Sequence, residues 1–97
     1  MTLNKTLLAK PAIQIDNSRT IVTRWSFSPA AETGWHCHNY DYVIVPNTNG
    51  RLKIETQQGS DIVELEIGES YFRSAGVEHN VINVNNFAFS FVEIELK

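Results

Sequence analysis

Apolar and polar positions alternate along this chain in short runs, with turn-forming residues every eight to twelve positions. Ala12–Asp16 places Ile13 and Ile15 on one face. Thr20–Ser28 sets Ile21, Thr23, Trp25 and Phe27 against Arg24 and Ser26. Pro29–Gly34 reads as a loop and Trp35–Val45 as a longer strand, stopped by Pro46-Asn47-Thr48-Asn49-Gly50. Arg51–Thr56 turns Leu52 and Ile54 inward, Gln57–Ser60 is a turn, and Ile62–Ile67 opposes Val63, Leu65 and Ile67 to Glu64 and Glu66. After Gly68 come a brief Tyr71–Phe72 strand, a turn at Ser74-Ala75-Gly76, and two last strands, His79–Val84 and Phe87–Leu96. A period of two is the signature of strands, and no segment carries a helical i, i+3, i+4, i+7 stripe. Short strands at this spacing predict an all-β barrel or sandwich.

The last strand departs from simple alternation. Phe87, Phe89 and Phe91 lie on one face, while Ala88, Val92, Ile94 and Leu96 lie on the other. A half-buried strand needs one apolar face. Two such faces predict that the outer one is covered, by the N-terminal segment or, as favoured here, by a second copy in a homodimer. Glu93 and Glu95 share the parity of the phenylalanines, and a change of sheet or the end of burial accounts for them.

With 97 residues, the chain has room for one core, so residues 1–97 are read as a single domain with residues 1–10 as an N-terminal arm. Hydrophobic residues at 42% and charged residues at 20% are ordinary for a soluble globular protein. A net charge of −3, with Lys and Arg scattered singly, excludes the basic field that nucleic acid requires. No apolar run is long enough to span a membrane. Residues 1–10 lack the pattern of a secretory signal, and the single Cys37 has no internal disulfide partner. Both features predict a cytoplasmic setting.

Candidate chemistry concentrates on the only three histidines. In a strand, His36 and His38 project to the same side, and neutral imidazole is the commonest ligand of transition metals. His79 follows a tight turn and opens a strand some forty residues later, where a barrel can bring it opposite the pair. Cys37 points the other way and reads as a small buried hydrophobe. The competing reading is that the imidazoles hydrogen-bond protein carbonyls, or a ligand directly, without metal.

These residues also fall in two spaced motifs. One runs Gly68-Glu-Ser-Tyr-Phe-Arg-Ser74-Ala-Gly76-Val-Glu-His79-Asn-Val-Ile-Asn83; the other runs from Ala30 through His36-Cys37-His38 and Tyr42 to Gly50. Over residues 20–96 the chain resembles the cupin family, whose motifs are Gly-x5-His-x-His-x3–4-Glu-x6-Gly and Gly-x5-Pro-x-Gly-x2-His-x3-Asn. The resemblance implies a small double-stranded β-helix, or jelly-roll, barrel with one divalent transition metal ion, Fe(II), Mn(II), Ni(II) or Zn(II), on His36, His38 and His79. Three departures stand out: Ser74 replaces the proline, Ala30 the first glycine, and Tyr42 the glutamate ligand. Asp41 is adjacent but has the wrong parity unless a bulge intervenes.

Three neutral imidazoles leave a divalent ion its full charge and open positions, which suits an anionic small-molecule ligand. Some three-histidine cupins are non-haem iron dioxygenases. Similarity to them implies an oxygen-dependent oxidoreductase first and a lyase or isomerase second, with Tyr42 as the catalytic phenol. Trp25, Phe27, Tyr40, Ile44, Val81, Phe89 and Phe91 would wall the substrate pocket, although the tyrosines also suit simple packing with Trp25, Phe27 and Tyr71. The alternative is a non-catalytic module that binds or senses a small molecule or metal.

Overall fold

The computed structural model describes residues 6–97 and contains strands but no helix among them. The strands are β1 (Lys10–Asp16), β2 (Thr20–Phe27), β3 (His36–Cys37), β4 (Asp41–Pro46), β5 (Gly50–Thr56), β6 (Gly59–Leu65), β7 (Tyr71–Arg73), β8 (Glu78–Asn83) and β9 (Phe89–Leu96). They form a five-stranded sheet in the order β1-β2-β9-β4-β7 and a four-stranded sheet in the order β3-β8-β5-β6. The assigned pairings are antiparallel. The two sheets close on one core in a jelly-roll barrel, as the alternating pattern predicts. Phe27, Phe89, Phe91, Leu52 and Ile44 fill that core, and the rings of Phe27 and Phe91 lie 5.4 Å apart in a tilted pair.

Trp35–Val45 is not one strand. The chain pairs with β8 at His36–Cys37, bends at Asn39–Tyr40, and joins the other sheet at Asp41. Crossing between sheets breaks the run of parity, so Tyr40 is 36% exposed while Tyr42 is buried at 3%. The amide of Ala75 donates to the Asp41 carboxylate at 2.8 Å, outside the barrel. Phe87 lies in a bend before β9 and is exposed rather than sharing the inward face of Phe89 and Phe91. Cys37 is exposed, because the short β3 has nothing packed over its outer side.

Asn83 ties the loops of one barrel end together. Its amide donates to the carbonyls of Phe27, Ser28 and Phe87 at 2.9–3.3 Å, and its oxygen accepts from the Asn85 amide at 2.9 Å. At 1% exposure it has no water to replace these partners.

Among the described residues the N-terminal segment does not cover the outer face of β9; residues 1–5 of the expected arm lie outside the described residues. Instead, β1 lengthens the sheet beyond β2, with its seven residues exposed. Cross-strand partners share a face, so the register places Ile15, Val22, Ile94, Val43 and Phe72 in one outward row across all five strands. Of these, Ile15 and Phe72 are about half exposed, at 48% and 51%.

Ala30 has a φ of +68°, in the left-handed region that an L side chain enters at a cost. Its side chain is exposed and packs no core. Ala30→Gly should therefore raise stability by about 1 kcal/mol, where glycine elsewhere lowers it. Urea denaturation measures the change, and a loss of stability contradicts the reading of this turn.

Candidate metal centre

The antiparallel pairing of β3 with β8 sets His36 directly opposite His79. His38 leaves the end of β3 with its backbone still anchored: its amide donates to the Val77 carbonyl at 3.0 Å, and its carbonyl accepts from Gly76 at 2.8 Å. Gly76 turns with a φ of +94°, as the glycine before His79 predicts. The three imidazoles, forty-odd residues apart in sequence, thus converge inside the barrel.

Their Nε2 atoms face one another. The separation is 3.1 Å from His36 to His38 and 3.0 Å from His38 to His79. The Nδ1 of His36 lies 2.8 Å from the Gly34 carbonyl; donating there leaves its Nε2 as a lone pair. A single N–H on the His38 Nε2 cannot serve both neighbours well, and its absence leaves lone pairs in opposition. One cation satisfies all three nitrogens. Ligands about 2.1 Å from an ion stand about 3.0 Å apart at right angles and about 3.4 Å apart in a tetrahedron. The two separations through His38 match neighbouring ligands of one ion, and all three ligand nitrogens lie within 4.8 Å of one another.

Burial shapes the protonation of the group. It lowers the pKa of His38 to about 4 and of His79 to about 4, helped by the neighbouring imidazoles. Both are therefore neutral and ready to donate lone pairs at pH 7. The ring of Tyr42 stacks on His38 at 3.9 Å, and burial, followed by Tyr71 and Glu93, pushes its phenol up to about 12. Tyr42 thus presents a proton rather than a phenolate.

Glu93 is the residue that sequence reasoning set aside. It is 7% exposed, with a carboxylate oxygen 3.9 Å from the His38 Nε2. Burial, followed by the charge of Glu95, raises its pKa to about 7. The parity of β9 carried the signal, since Glu93 continues the inward series of Phe89 and Phe91. Neither an end of burial nor a change of sheet explains it: β9 remains in one sheet, and Glu93 lies opposite Ile44 and Thr23 on the inner face.

The cavity beside the histidines is about 20 Å³, room for about one water-sized group. Of the pocket residues expected from sequence, Trp25, Ile44, Val81 and Phe91 line it together with Tyr42. Phe27 and Phe89 do not, because they fill the core at 1% exposure, and Tyr40 is turned outward by the bend at Asn39–Tyr40. Thr33, Leu52, Ile54, Tyr71 and Glu93 complete the wall. The buried indole N–H of Trp25 lies beside the Glu93 carboxylate, whose charged form it favours, without a well-aligned hydrogen bond.

These shifts fix how the metal-free protein responds to pH. His38 and His79 bind protons more weakly folded than unfolded, so they raise stability as pH climbs from about 4 to 6.5. Glu93 binds its proton more tightly folded and lowers stability from about 4.5 to 7. The two large histidine shifts outweigh the large shift of Glu93 and the lesser upward shifts of Glu95 and the exposed Glu66, so thermal unfolding of metal-free protein should show Tm rising between pH 4 and 6.5. Glu93→Gln should stabilise the metal-free protein above pH 7 by roughly 1–3 kcal/mol. A Tm that falls across the lower window contradicts this assignment.

The fold has close counterparts. No family model matches the chain. It is 53% identical over 89 residues to the beta-alanine degradation protein BauB of Pseudomonas aeruginosa, covering 92% of this chain and 94% of the relative. A cupin domain from Bordetella pertussis superposes with a TM-score of 0.95 at 54% identity, covering 97% of this chain and 98% of that one. The polyketide cyclase RemF of Streptomyces resistomycificus shares the fold alone, with a TM-score of 0.71 at 21% identity over 96% of this chain and 70% of its own. With the two histidine motifs folded into one barrel, this chain belongs to the cupin superfamily.

Proposed function

We propose that this cupin is a metal-dependent enzyme acting on a small organic anion, by oxygen-dependent oxidation first and lyase or isomerase chemistry second. The observation that carries the reading is the inward convergence of three imidazoles on one point. An iron, manganese, nickel or zinc ion held by His36, His38 and His79 supplies Lewis acidity and, for the redox-active metals, access to oxygen chemistry. The naming of a 53% identical relative for beta-alanine degradation supports a short carboxylate as the substrate class.

The chain's own groups supply the rest. Tyr42, stacked on His38, donates its phenol proton toward the open side and orients the ligand. The apolar wall of Trp25, Ile44 and Phe91 excludes bulk water and strengthens each charge interaction in the cavity. Glu93 adds a carboxylate near the centre that offsets part of a divalent charge. The small cavity favours a second reading, a non-catalytic binder or sensor, because an organic ligand cannot fit wholly beside the histidines.

Oxygen uptake and product formation separate the two. Iron-loaded protein offered a panel of short keto and hydroxy carboxylates should consume oxygen or convert at least one. Tyr42→Phe should lower turnover by about 10²-fold or more with metal retained. Binding without turnover across the panel, for every metal tried, supports the binder and sinks the enzyme.

The apolar row Ile15–Val22–Ile94–Val43–Phe72 supports a homodimer, since a two-fold axis through this face pairs the row with itself. Sedimentation should show a dimer that Ile94→Lys converts to folded monomer; wild-type monomer at micromolar concentration contradicts it.

A further inference from the structure

A second cavity, about 500 Å³, lies next to the histidine centre and shares Tyr42, Ile54, Tyr71 and His79 with its wall. The inner cavity holds about one water, whereas this outer chamber has room for the body of a small organic substrate whose end reaches the centre. Arg73 is its only cationic lining residue. It sits on β7 directly opposite Tyr42, and therefore on the inward face of the sheet.

The guanidinium is held in place but not neutralised. It lies over the Tyr71 ring, 4.6 Å from the centroid, and one nitrogen donates to the Phe72 carbonyl at 2.9 Å. No carboxylate pairs with it among the described residues. The remaining N–H groups form a fork suited to a carboxylate. The acidic groups around the chamber lie elsewhere. Glu95 is on the far side of Tyr42 in the same inner row, Glu93 is one row deeper, and Asp61 and Glu64 belong to β6, where Arg51 holds Glu64 at 3.0 Å. An anion entering the chamber is attracted at β7 and repelled at β9 and β6.

We propose that Arg73 is the residue that binds the substrate's carboxylate at the mouth of the barrel. The other end of a short chain, bearing an oxygen, then points past Tyr42 to the histidines. The assignment rests on the metal-centre reading and adds the substrate's class and orientation: a short carboxylic acid with an oxygen function at its other end.

The test uses the full chain loaded with metal and two probes, 3-hydroxypropanoate and its amide, 3-hydroxypropanamide. Affinity is measured by calorimetry, and the Arg73 Nε–H resonance is followed by NMR. The carboxylate should bind at least tenfold more tightly than the amide and shift that resonance. Arg73→Gln should weaken carboxylate binding by about 10- to 100-fold and leave the amide and the metal content unchanged, while Arg73→Lys recovers part of the loss. Equal affinities for the two probes, undiminished binding by the glutamine variant, or no binding of the carboxylate overturns the proposal. A carboxylate that still shifts Arg73 in protein unable to hold metal instead rejects the metal centre and leaves the arginine subsite standing.

Discussion

Three imidazole nitrogens gathered in a nearly dry cavity, those of His36 and His79 each about 3 Å from that of His38, constrain everything else in this barrel. Without a shared cation, the arrangement places lone pairs against one another, and the backbone would gain by letting the rings separate. It cannot easily do so. His36 and His79 are cross-strand partners in one ladder, His38 is hydrogen-bonded through both its amide and its carbonyl to the turn before β8, and Tyr42 stacks on the His38 ring. Gly34 adds a further restraint: its amide donates to the buried Asn80 at 3.0 Å while its carbonyl faces the Nδ1 of His36. Asn80 in turn donates to Glu32 and Glu55, so the orientation of one ring is fixed from the far side of the sheet.

Charge around this centre is distributed by strand. Burial keeps the His38 and His79 imidazoles and the Tyr42 phenol neutral at pH 7 and brings Glu93 close to its midpoint. Glu93 and Glu95 come from β9, the Asp61 and Glu64 of the outer chamber from β6, and its one cation from β7, with β4 and its tyrosine between β9 and β7. Tyrosine at position 42 and glutamate at position 93 thus belong to one account. Glu93, opposite Ile44 in the β4–β9 ladder, places a carboxylate near His38, although from a different strand and without direct convergence on all three nitrogens.

Much of this was legible in the residue pattern. Period-two alternation located seven of the nine strands to within a few residues and merged β3 with β4; the two motifs marked His36, His38 and His79, which the structure gathers at the β3–β8 pairing of one sheet. The failures share a cause. Parity was extended through Asn39–Tyr40, where the chain leaves one sheet for the other, and that assigned Tyr40 to a pocket it does not line. At β9 the parity was correct and chemistry overrode it: Glu93 follows Phe91 on the inner face, yet an acidic residue was taken as a sign of exposure. Local pattern does not reveal that a nearby histidine cluster makes a buried carboxylate tolerable. Phe27 and Phe89 were placed on the correct face, but depth along the barrel axis, which separates core from pocket wall, leaves no mark in alternation.

The central claim is that the three Nε2 atoms share one ion, and X-ray absorption on metal-replete protein addresses it most directly. The account predicts one ion per chain with three imidazole nitrogens at about 2.1 Å and lighter atoms in the remaining positions, lost together in His79→Ala. A replete protein that binds no stoichiometric metal, or an ion whose shell is unchanged in that variant, would contradict it.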